Sequence, residues 1–448
     1  MEMRLFGMNG YSGTVNLTDR QRDYAVALSL YAVLSITLYA VVRMTDIPSS
    51  VCDGYFPYAD AMMDGTFPYT HDVWVYDDWN TWEYPPLAYV FILLPRLLAS
   101  SVAGYQAVYI AMTFLFFLLG LWCAERLACI FGRRADGIMV IYTFLMVLMF
   151  EFQADRFDII PAVMTMLVMV FVMERKYIPA FLVLAVATLV KLYPAIFLPI
   201  LIVYMLSRGE RKEAVKGLAA FIALCLAVCA VFYLCGSDPL SFAKYHTDRP
   251  LEIESVAASV IEILSLLGLT DVSYAYDFGS DNIYGSASSA VSGLMLPLAV
   301  SVILLFYAVF AVRAARREET PDALGKDTGG MCMLVLLTFI LISSVFSGQY
   351  IIWLIPFVIL SFLICDDKSG RIRNLNLFAV AAALTQIDFL VNFGFRGEGE
   401  AMSVPGILVL AARNTVMIVL YALVIRQVLL GRGGAEAEGR ADLNPEAE

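Results

Sequence analysis

Long apolar runs constrain the fold of this chain more than any other feature of its sequence. They lie near residues 24–42, 86–99, 105–123, 138–150, 159–173, 178–190, 195–206, 217–235, 289–312, 331–346, 350–365, 375–392 and 404–425. A helix needs about 20 apolar residues to cross the hydrocarbon core of a bilayer, so runs of this kind are typical of membrane spans. Hydrophobic residues form 60% of the chain and charged residues only 16%, which excludes a soluble globular enzyme. The sequence predicts an all-α polytopic membrane protein.

The charge balance argues against a nucleic-acid partner, and the cysteine pattern gives no sign of a metal site. A formal net charge of -11 argues against a nucleic-acid partner, because no basic face is available to neutralise phosphates. Most of the 8 cysteines lie in or beside apolar runs, and no CxxC or Cys/His cluster indicates a metal site. The adjacent acids Asp77 and Asp78 are weak evidence for a metal. We therefore expect that no cofactor is required, with a divalent ion left open.

The distribution of Lys and Arg predicts the topology. If every apolar run crossed the membrane, Arg126, Arg133 and Arg134 would face outward, against the preference of basic residues for the cytoplasmic side. The run 86–99 is short and contains Pro86 and Pro95, so we expect it to form an interfacial helix instead. The basic clusters then all face inward, with about twelve crossings and both termini in the cytoplasm.

This topology divides the chain into three parts. Residues 1–23 form a cytoplasmic N-terminus, residues 24–430 form the membrane domain, and the acidic residues 431–448 form a disordered cytoplasmic tail. The membrane domain has two long outer loops, 43–104 and 236–288. The segments 138–173 and 178–206 are short for pairs of spans, and Lys191–Pro194 interrupts the second pair. Interrupted spans need internal partners for their backbone groups, which indicates a site inside the protein or in a wet cavity.

The first outer loop is rich in acidic and aromatic residues. It contains Asp53–Asp60, then Gly65–Tyr69, then Trp82–Leu87. Tyr and Trp at this depth are ordinary interfacial anchors. Aromatic faces combined with carboxylates also form the usual surface for binding a sugar.

The order of these motifs resembles the first outer loop of the GT-C superfamily, which comprises membrane glycosyltransferases that use polyprenyl-phosphate sugars. It is most similar to the prokaryotic α-mannosyltransferase branch. Further similar segments follow at Asp155–Asp158 with Pro161-Ala162, Lys191–Pro194, His246–Ser255, Ser347–Pro356 and Arg413-Asn414. They extend from residue 53 to residue 414. The chain departs from the branch at Gly348, where relatives carry Pro, and at Gln349-Tyr350, where relatives can carry His.

The resemblance implies roles for the first-loop aspartate and for three basic residues. Asp53 matches the general base of an inverting single displacement, with a solvated carboxylate or a helix cap as the alternative. Arg249 and Lys191 are candidates for binding the carrier phosphate, because basic residues on the outer side need a reason to be there. The alternatives are an ion pair of Arg249 with Glu252 or Glu254, and a Lys191 side chain that reaches the surface. His246 is a weaker phosphate candidate.

Other polar residues on the same side are candidates for binding the sugar or the acceptor: Tyr55, Tyr58, Glu83, Glu254, Gln349 and Tyr350. Helix capping by Glu83 and a helix–helix hydrogen bond by Gln349 or Tyr350 are the alternatives. We expect Arg156 to form a structural pair with a flanking aspartate, Trp353 to serve in packing, and Asp388 to bridge to Arg413.

The sequence thus favours a transferase that moves a hexose, with mannose as the first candidate, from a polyprenyl-phosphate donor. The acceptor would be a membrane lipid or a glycan at the outer face of the cell membrane. A transporter or lipid flippase without covalent chemistry is the alternative from another class. A pentose or an amino sugar on the same type of carrier also remains open.

Overall fold

The computed structural model describes residues 17–42, 49–69, 82–243, 249–316, 321–365, 367–394, 397 and 399–430. These residues are mostly helical. The α-helices are α1 (Leu17–Val42), α2 (Phe56–Met63), α3 (Ala88–Leu98), α4 (Val102–Ile130), α5 (Ala135–Leu148), α6 (Phe150–Asp155), α7 (Ile159–Met173), α8 (Tyr177–Val190), α9 (Leu198–Ser207), α10 (Arg211–Leu234), α11 (Val256–Leu266), α12 (Ser286–Ala315), α13 (Pro321–Leu341), α14 (Tyr350–Ile364), α15 (Lys368–Asp388) and α16 (Val404–Ile425). Short π-helical turns lie at Ser50–Tyr55, Phe389–Phe393 and Arg426–Leu430, and a 3₁₀ turn lies at Tyr193–Phe197.

Five of the described helical segments are long and apolar enough to cross a membrane. They are Val102–Ile130, Arg211–Leu234, Ser286–Ala315, Lys368–Phe393 and Val404–Leu429. Shorter apolar helices accompany them, including α5, α7, α8 and α14. A polytopic membrane protein is therefore plausible, while the number of crossings and the orientation of the chain remain predictions.

Ion pairs near the ends of several helices bring predicted cytoplasmic clusters together. Arg20 on α1 pairs with Glu125 on α4 at 2.7 Å. The next residue, Arg126, pairs at 2.5 Å with Glu174, which follows α7 and also binds Lys176. These basic residues, which the charge pattern assigns to one side, therefore lie at the same end of the helix bundle.

Helix α3 covers most of the run 86–99, which the sequence predicts to be an interfacial helix. It has 11 residues, too few for a span of about 20. Tyr89 and Ile92 are buried against the bundle, whereas Leu97 and Leu98 on the opposite face are exposed. The N–H of Leu87 donates to the carbonyl of Leu189 at the end of α8, which fixes the start of the helix.

Two helix breaks meet in the interior. The first lies between α6 and α7 at residues 156–158, and the second follows α8 at Lys191. The Nζ atom of Lys191 lies 2.5 Å from Oδ1 of Asp158, which joins the two breaks. The two interruptions therefore lie side by side, with their charged side chains in contact.

A small antiparallel sheet corrects the all-α prediction. Its strands are β1 (Leu251–Glu252), β2 (Ser273–Asp277) and β3 (Ser280–Tyr284), in the order β1-β3-β2. Its Leu251 and Ile283 join Ile261 of α11 and Leu410 of α16 in a second, smaller hydrophobic core. Strands of two and five residues are too short to show a periodic pattern, so the sequence did not reveal them.

Candidate functional site

Asp53 lies in the π-helical turn that precedes α2, and its side chain is exposed. Its Oδ2 atom accepts a hydrogen bond from the backbone N–H of Ser49 at 2.9 Å, a reciprocal cap at the start of the turn. The Oδ1 atom accepts no hydrogen bond from the residues that the structure describes. Asp53 is therefore a helix cap with one carboxylate oxygen open to solvent, which is compatible with both interpretations of this residue.

A buried carboxylate, Asp155, holds the turn that carries Asp53. Its Oδ1 atom accepts from the hydroxyl of Ser49 at 2.5 Å, and its Oδ2 atom accepts from the N–H of Ser50 at 2.7 Å. Arg156 pairs with the same Oδ2 atom at 3.0 Å. The expected structural pair of Arg156 is thus present, and it also supports the position of the Asp53 turn.

Lys191 is held by Asp158 in the interior. The Asp158 side chain is fully buried and that of Lys191 is 15% exposed. Oδ1 of Asp158 also accepts from Nε1 of Trp353 at 2.6 Å, so Trp353 has a polar contact beyond the packing that the sequence suggested. Tyr350 stacks on Trp353 with ring centroids 3.8 Å apart, and Nζ of Lys191 lies 5.7 Å from the Tyr350 ring centre. The ammonium is thus placed against aromatic faces instead of reaching the surface.

Tyr55 and Tyr58 of the first predicted outer loop are buried. Tyr55 packs 5.5 Å from the ring of Phe157, and burial raises its pKa above the ordinary range. Tyr58 packs against Trp82 and Tyr89 at 5.0 and 5.9 Å. Both rings are therefore packed against other aromatic side chains, and a sugar contact by either remains a prediction.

Arg249 and Glu252 approach the same region from the other predicted outer loop. Nη2 of Arg249 donates to the hydroxyl of Ser280 at 2.7 Å. Oε1 of Glu252 accepts from the hydroxyl of Ser347 at 2.5 Å, and the residue is 3% exposed. Burial raises the pKa of Glu252 to about 7, and nearby Glu254 adds to this effect, whereas Arg249 opposes it.

Glu254 forms a buried ion pair with the last helix. Nη1 of Arg413 lies 2.8 Å from Oε1 of Glu254 and 3.8 Å from Oδ2 of Asp388. Asn414 donates to the backbone carbonyls of Glu254 and Ser255. Arg413 thus bridges to Asp388, as the sequence suggested, and lies closer still to Glu254. A sugar contact by Glu254 remains untested and would compete with this pair.

Charged candidate residues from several segments lie near Tyr350. Its phenol lies within electrostatic range of Glu83, Asp158, Arg249 and Glu252. Glu83 also acts on Lys191, and its side chain is half-buried. Gln349 is half-buried just before α14, and its side-chain amide makes no hydrogen bond to the described residues. The region around Tyr350 therefore combines cations, carboxylates and aromatic faces.

Two expectations are not addressed by these contacts. His246 lies outside the described residues. No group of three or more His, Cys, Asp or Glu among the described residues has a metal-binding arrangement, so the question of a divalent ion stays open.

Sequence reasoning missed three residues of this region. Asp155 and Asp158 were seen only as neighbours of Arg156, although they hold the Asp53 turn and Lys191. Glu252 was considered only as an ion-pair partner of Arg249. Acidic residues next to an interrupted span were the one signal available, because buried carboxylates at membrane depth are costly and need partners.

Comparison with known protein families identifies more than half of the chain. The family model described as Glycosyltransferase family 87 matches residues 82–344. This match includes Glu83, both helix breaks and Glu252, and it ends just before Ser347. No curated protein matches the chain.

Proposed function

Because the chain belongs to glycosyltransferase family 87, a family of GT-C membrane glycosyltransferases, we propose that it transfers a hexose from a polyprenyl-phosphate carrier to an acceptor at the outer face of the membrane. Mannose is the first candidate for the sugar. A glycosyltransferase needs a sugar donor and an acceptor, and family membership favours such a reaction over the transporter interpretation. The membrane lipid or glycan that accepts the sugar would diffuse in, or alongside, the same leaflet as the donor.

The observation that carries the proposal is the convergence of Lys191 and Arg249 near Tyr350. A polyprenyl-phosphate sugar leaves its carrier as a phosphate monoester, whose developing charge requires cations in a site with little water. Lys191 is held in the interior by Asp158 and Arg249 by Ser280. Both are therefore pre-positioned, which lowers the cost of organising them around the phosphate.

Asp53 is our candidate for the general base. In an inverting displacement the acceptor oxygen forms a bond to C1 of the sugar while the bond between C1 and the phosphate oxygen breaks. The acceptor proton passes to Asp53, and the electron pair of the broken bond stays on the phosphate. An exposed carboxylate oxygen on an anchored turn suits this role, since the acceptor must reach it from solvent or from the membrane surface.

The test is a transfer assay on the purified protein in nanodiscs with radiolabelled polyprenyl-phosphate-mannose and a total lipid extract. Asp53→Asn should lower the transfer rate by about 10²- to 10⁴-fold, the usual contribution of a general base. The asparagine oxygen can still accept from Ser49, so the fold and donor binding should persist. Asp64→Asn is the matched control, because Asp64 is an exposed carboxylate just after α2.

The outcomes separate the parts of the proposal. A labelled product from wild type and Asp64→Asn, but not from Asp53→Asn, supports the transfer and the base. Full activity of Asp53→Asn would remove Asp53 from the mechanism. Intact donor binding without any product would direct attention to another sugar, such as a pentose or an amino sugar.

A further inference from the structure

Glu252 is a buried carboxyl group, one of whose oxygens has no hydrogen-bond partner among the described residues. Oε1 accepts from Ser347, whereas Oε2 is buried and makes no hydrogen bond to any described residue. The backbone of Glu252 is fixed by pairing with β3 and by an N–H donated to the carbonyl of Ser344. A polar atom buried without a partner is costly, so a rigidly held Oε2 atom calls for a ligand that completes its hydrogen bonding.

This carboxyl group adjoins the region proposed to bind the donor. The N–H of Tyr350 donates to the carbonyl of Ser347 at 2.9 Å, so the partner of Glu252 lies in the turn that starts α14. The ring of Tyr350 in turn lies 5.7 Å from Nζ of Lys191. Arg249 is close enough to act electrostatically on Glu252 itself. Glu252 is thus near Arg249 directly and is connected to Lys191 through Ser347 and Tyr350.

The surrounding charges make the protonation of Glu252 sensitive to a ligand. Burial and Glu254 raise the pKa of Glu252 to about 7, while Arg249, the Ser347 hydroxyl and the backbone N–H of Phe346 lower it. An anion that binds Arg249 would remove part of that lowering and add its own negative field, so the carboxyl would take up a proton. Among the described residues, the charged or titratable groups on this segment and on the packed elements include Arg249, Glu254, Glu262 on α11, Asp281 and Tyr284 on β3, Tyr350 on α14 and Arg413 on α16.

We infer that Glu252 is a donor-binding residue that becomes protonated when the lipid-linked donor binds, and that Oε2–H donates a hydrogen bond to a phosphate oxygen beside Arg249. The inference rests on the proposed function, because it takes the ligand to be a phosphodiester. The proton comes from solvent. As the sugar leaves, the phosphate gains negative charge and this hydrogen bond strengthens, which favours the transition state over the bound donor.

The experiment measures proton uptake on binding, with the full-length protein in nanodiscs. The probe is a short-chain polyprenyl methyl phosphate, a phosphodiester without a titratable group near neutral pH. Calorimetric titrations in two buffers of different ionisation enthalpy give the number of protons bound. With a free-state pKa of about 7, wild type should take up about 0.1 proton at pH 6 and about 0.9 at pH 8. Binding should weaken about tenfold between these two pH values.

Three variants identify the group that takes up the proton. Glu252→Gln keeps a hydrogen-bond donor but cannot ionise, so its affinity should be independent of pH and its proton uptake absent. Ser347→Ala loses a hydrogen bond that favours the ionised carboxyl, so the pH at which binding weakens should move upward. Glu262→Gln removes another buried carboxyl of the same segment and should retain the wild-type uptake.

The outcomes are distinguishable. Failure of wild type to bind the phosphodiester would overturn the proposed function together with this inference. Binding without proton uptake would overturn the inference alone. Uptake that survives in Glu252→Gln would belong to another group, such as His246, and would also overturn it. If Glu252→Gln fails to fold, the shift in Ser347→Ala decides, and an unshifted profile there counts against Glu252.

Discussion

Replacing Lys191 with methionine tests whether its ammonium group acts on the donor or serves only to neutralise Asp158. The Asp158 side chain is fully buried and Lys191 is 15% exposed, with 2.5 Å between Nζ and Oδ1. Breaking such a pair leaves a buried charge uncompensated, so Lys191→Met should lower the free energy of unfolding by about 3–5 kcal/mol. Asp158→Asn in the same chain removes that charge, and its amide oxygen can still accept from Trp353. The double variant should therefore return to within about 1 kcal/mol of wild type.

Donor binding should not return with stability. If Lys191 contacts the phosphate, both variants lose a charge-assisted hydrogen bond and should bind the donor about 10- to 100-fold more weakly than wild type. Stability is measured by SDS titration in mixed micelles and affinity by calorimetry. Lys176→Met is the control, because Lys176 pairs with Glu174 at 2.7 Å but is 58% exposed and should cost less than about 1 kcal/mol. Wild-type affinity in the double variant would refute the phosphate role of Lys191.

Three further predictions concern the framework of the site. Asp155→Asn should loosen the turn that carries Asp53 and slow transfer at least about tenfold, while donor affinity is retained. The reason is that one hydrogen bond to a charged group is worth about 1.5–3 kcal/mol. An unchanged rate would mean that the turn does not need this anchor. Arg413→Gln should lower the free energy of unfolding by about 3–5 kcal/mol, and adding Glu254→Gln to the same chain should recover part of this loss. No recovery would show that the ion pair between Arg413 and Glu254 is not the source of the loss. Gly348→Ala would bring a Cβ atom within 2.7 Å of Cζ of Phe152. It should cost about 1–3 kcal/mol by overpacking, and Phe152→Leu should relieve this cost in the same unfolding assay.

Local patterns in the sequence were sufficient for some parts of the fold. The short run containing Pro86 and Pro95 gave helix α3, because its length and its prolines are properties of neighbouring residues. The interruption at Lys191 was visible for the same reason, as Pro194 follows it closely. These features depend on backbone chemistry within a few residues.

Partners across long separations were not predictable in the same way. Asp158 is 33 residues from Lys191, and Glu254 is 159 residues from Arg413. The two partners of Arg413 illustrate the reason, because the bridge to Asp388 was predicted and the closer contact with Glu254 was not. Asp388 lies on a neighbouring helix, whereas Glu254 reaches Arg413 only because the small sheet packs its segment against α16, and that sheet was absent from the sequence prediction.

The charge balance of the site links the proposed donor to the unused oxygen of Glu252. Among the described residues of this region, carboxylates outnumber cations, with Asp53, Glu83, Asp155, Asp158 and Glu252 on one side and Arg156, Lys191 and Arg249 on the other. Asp155 and Asp158 are already occupied in holding Arg156 and Lys191, so neither cation is fully available to an incoming anion. A phosphodiester would therefore enter an unfavourable field unless one carboxylate were neutralised. Glu252 is the member whose pKa of about 7 makes that neutralisation accessible near neutral pH. Its proton would let an anionic donor bind and leave Asp53 to accept the proton of the acceptor hydroxyl.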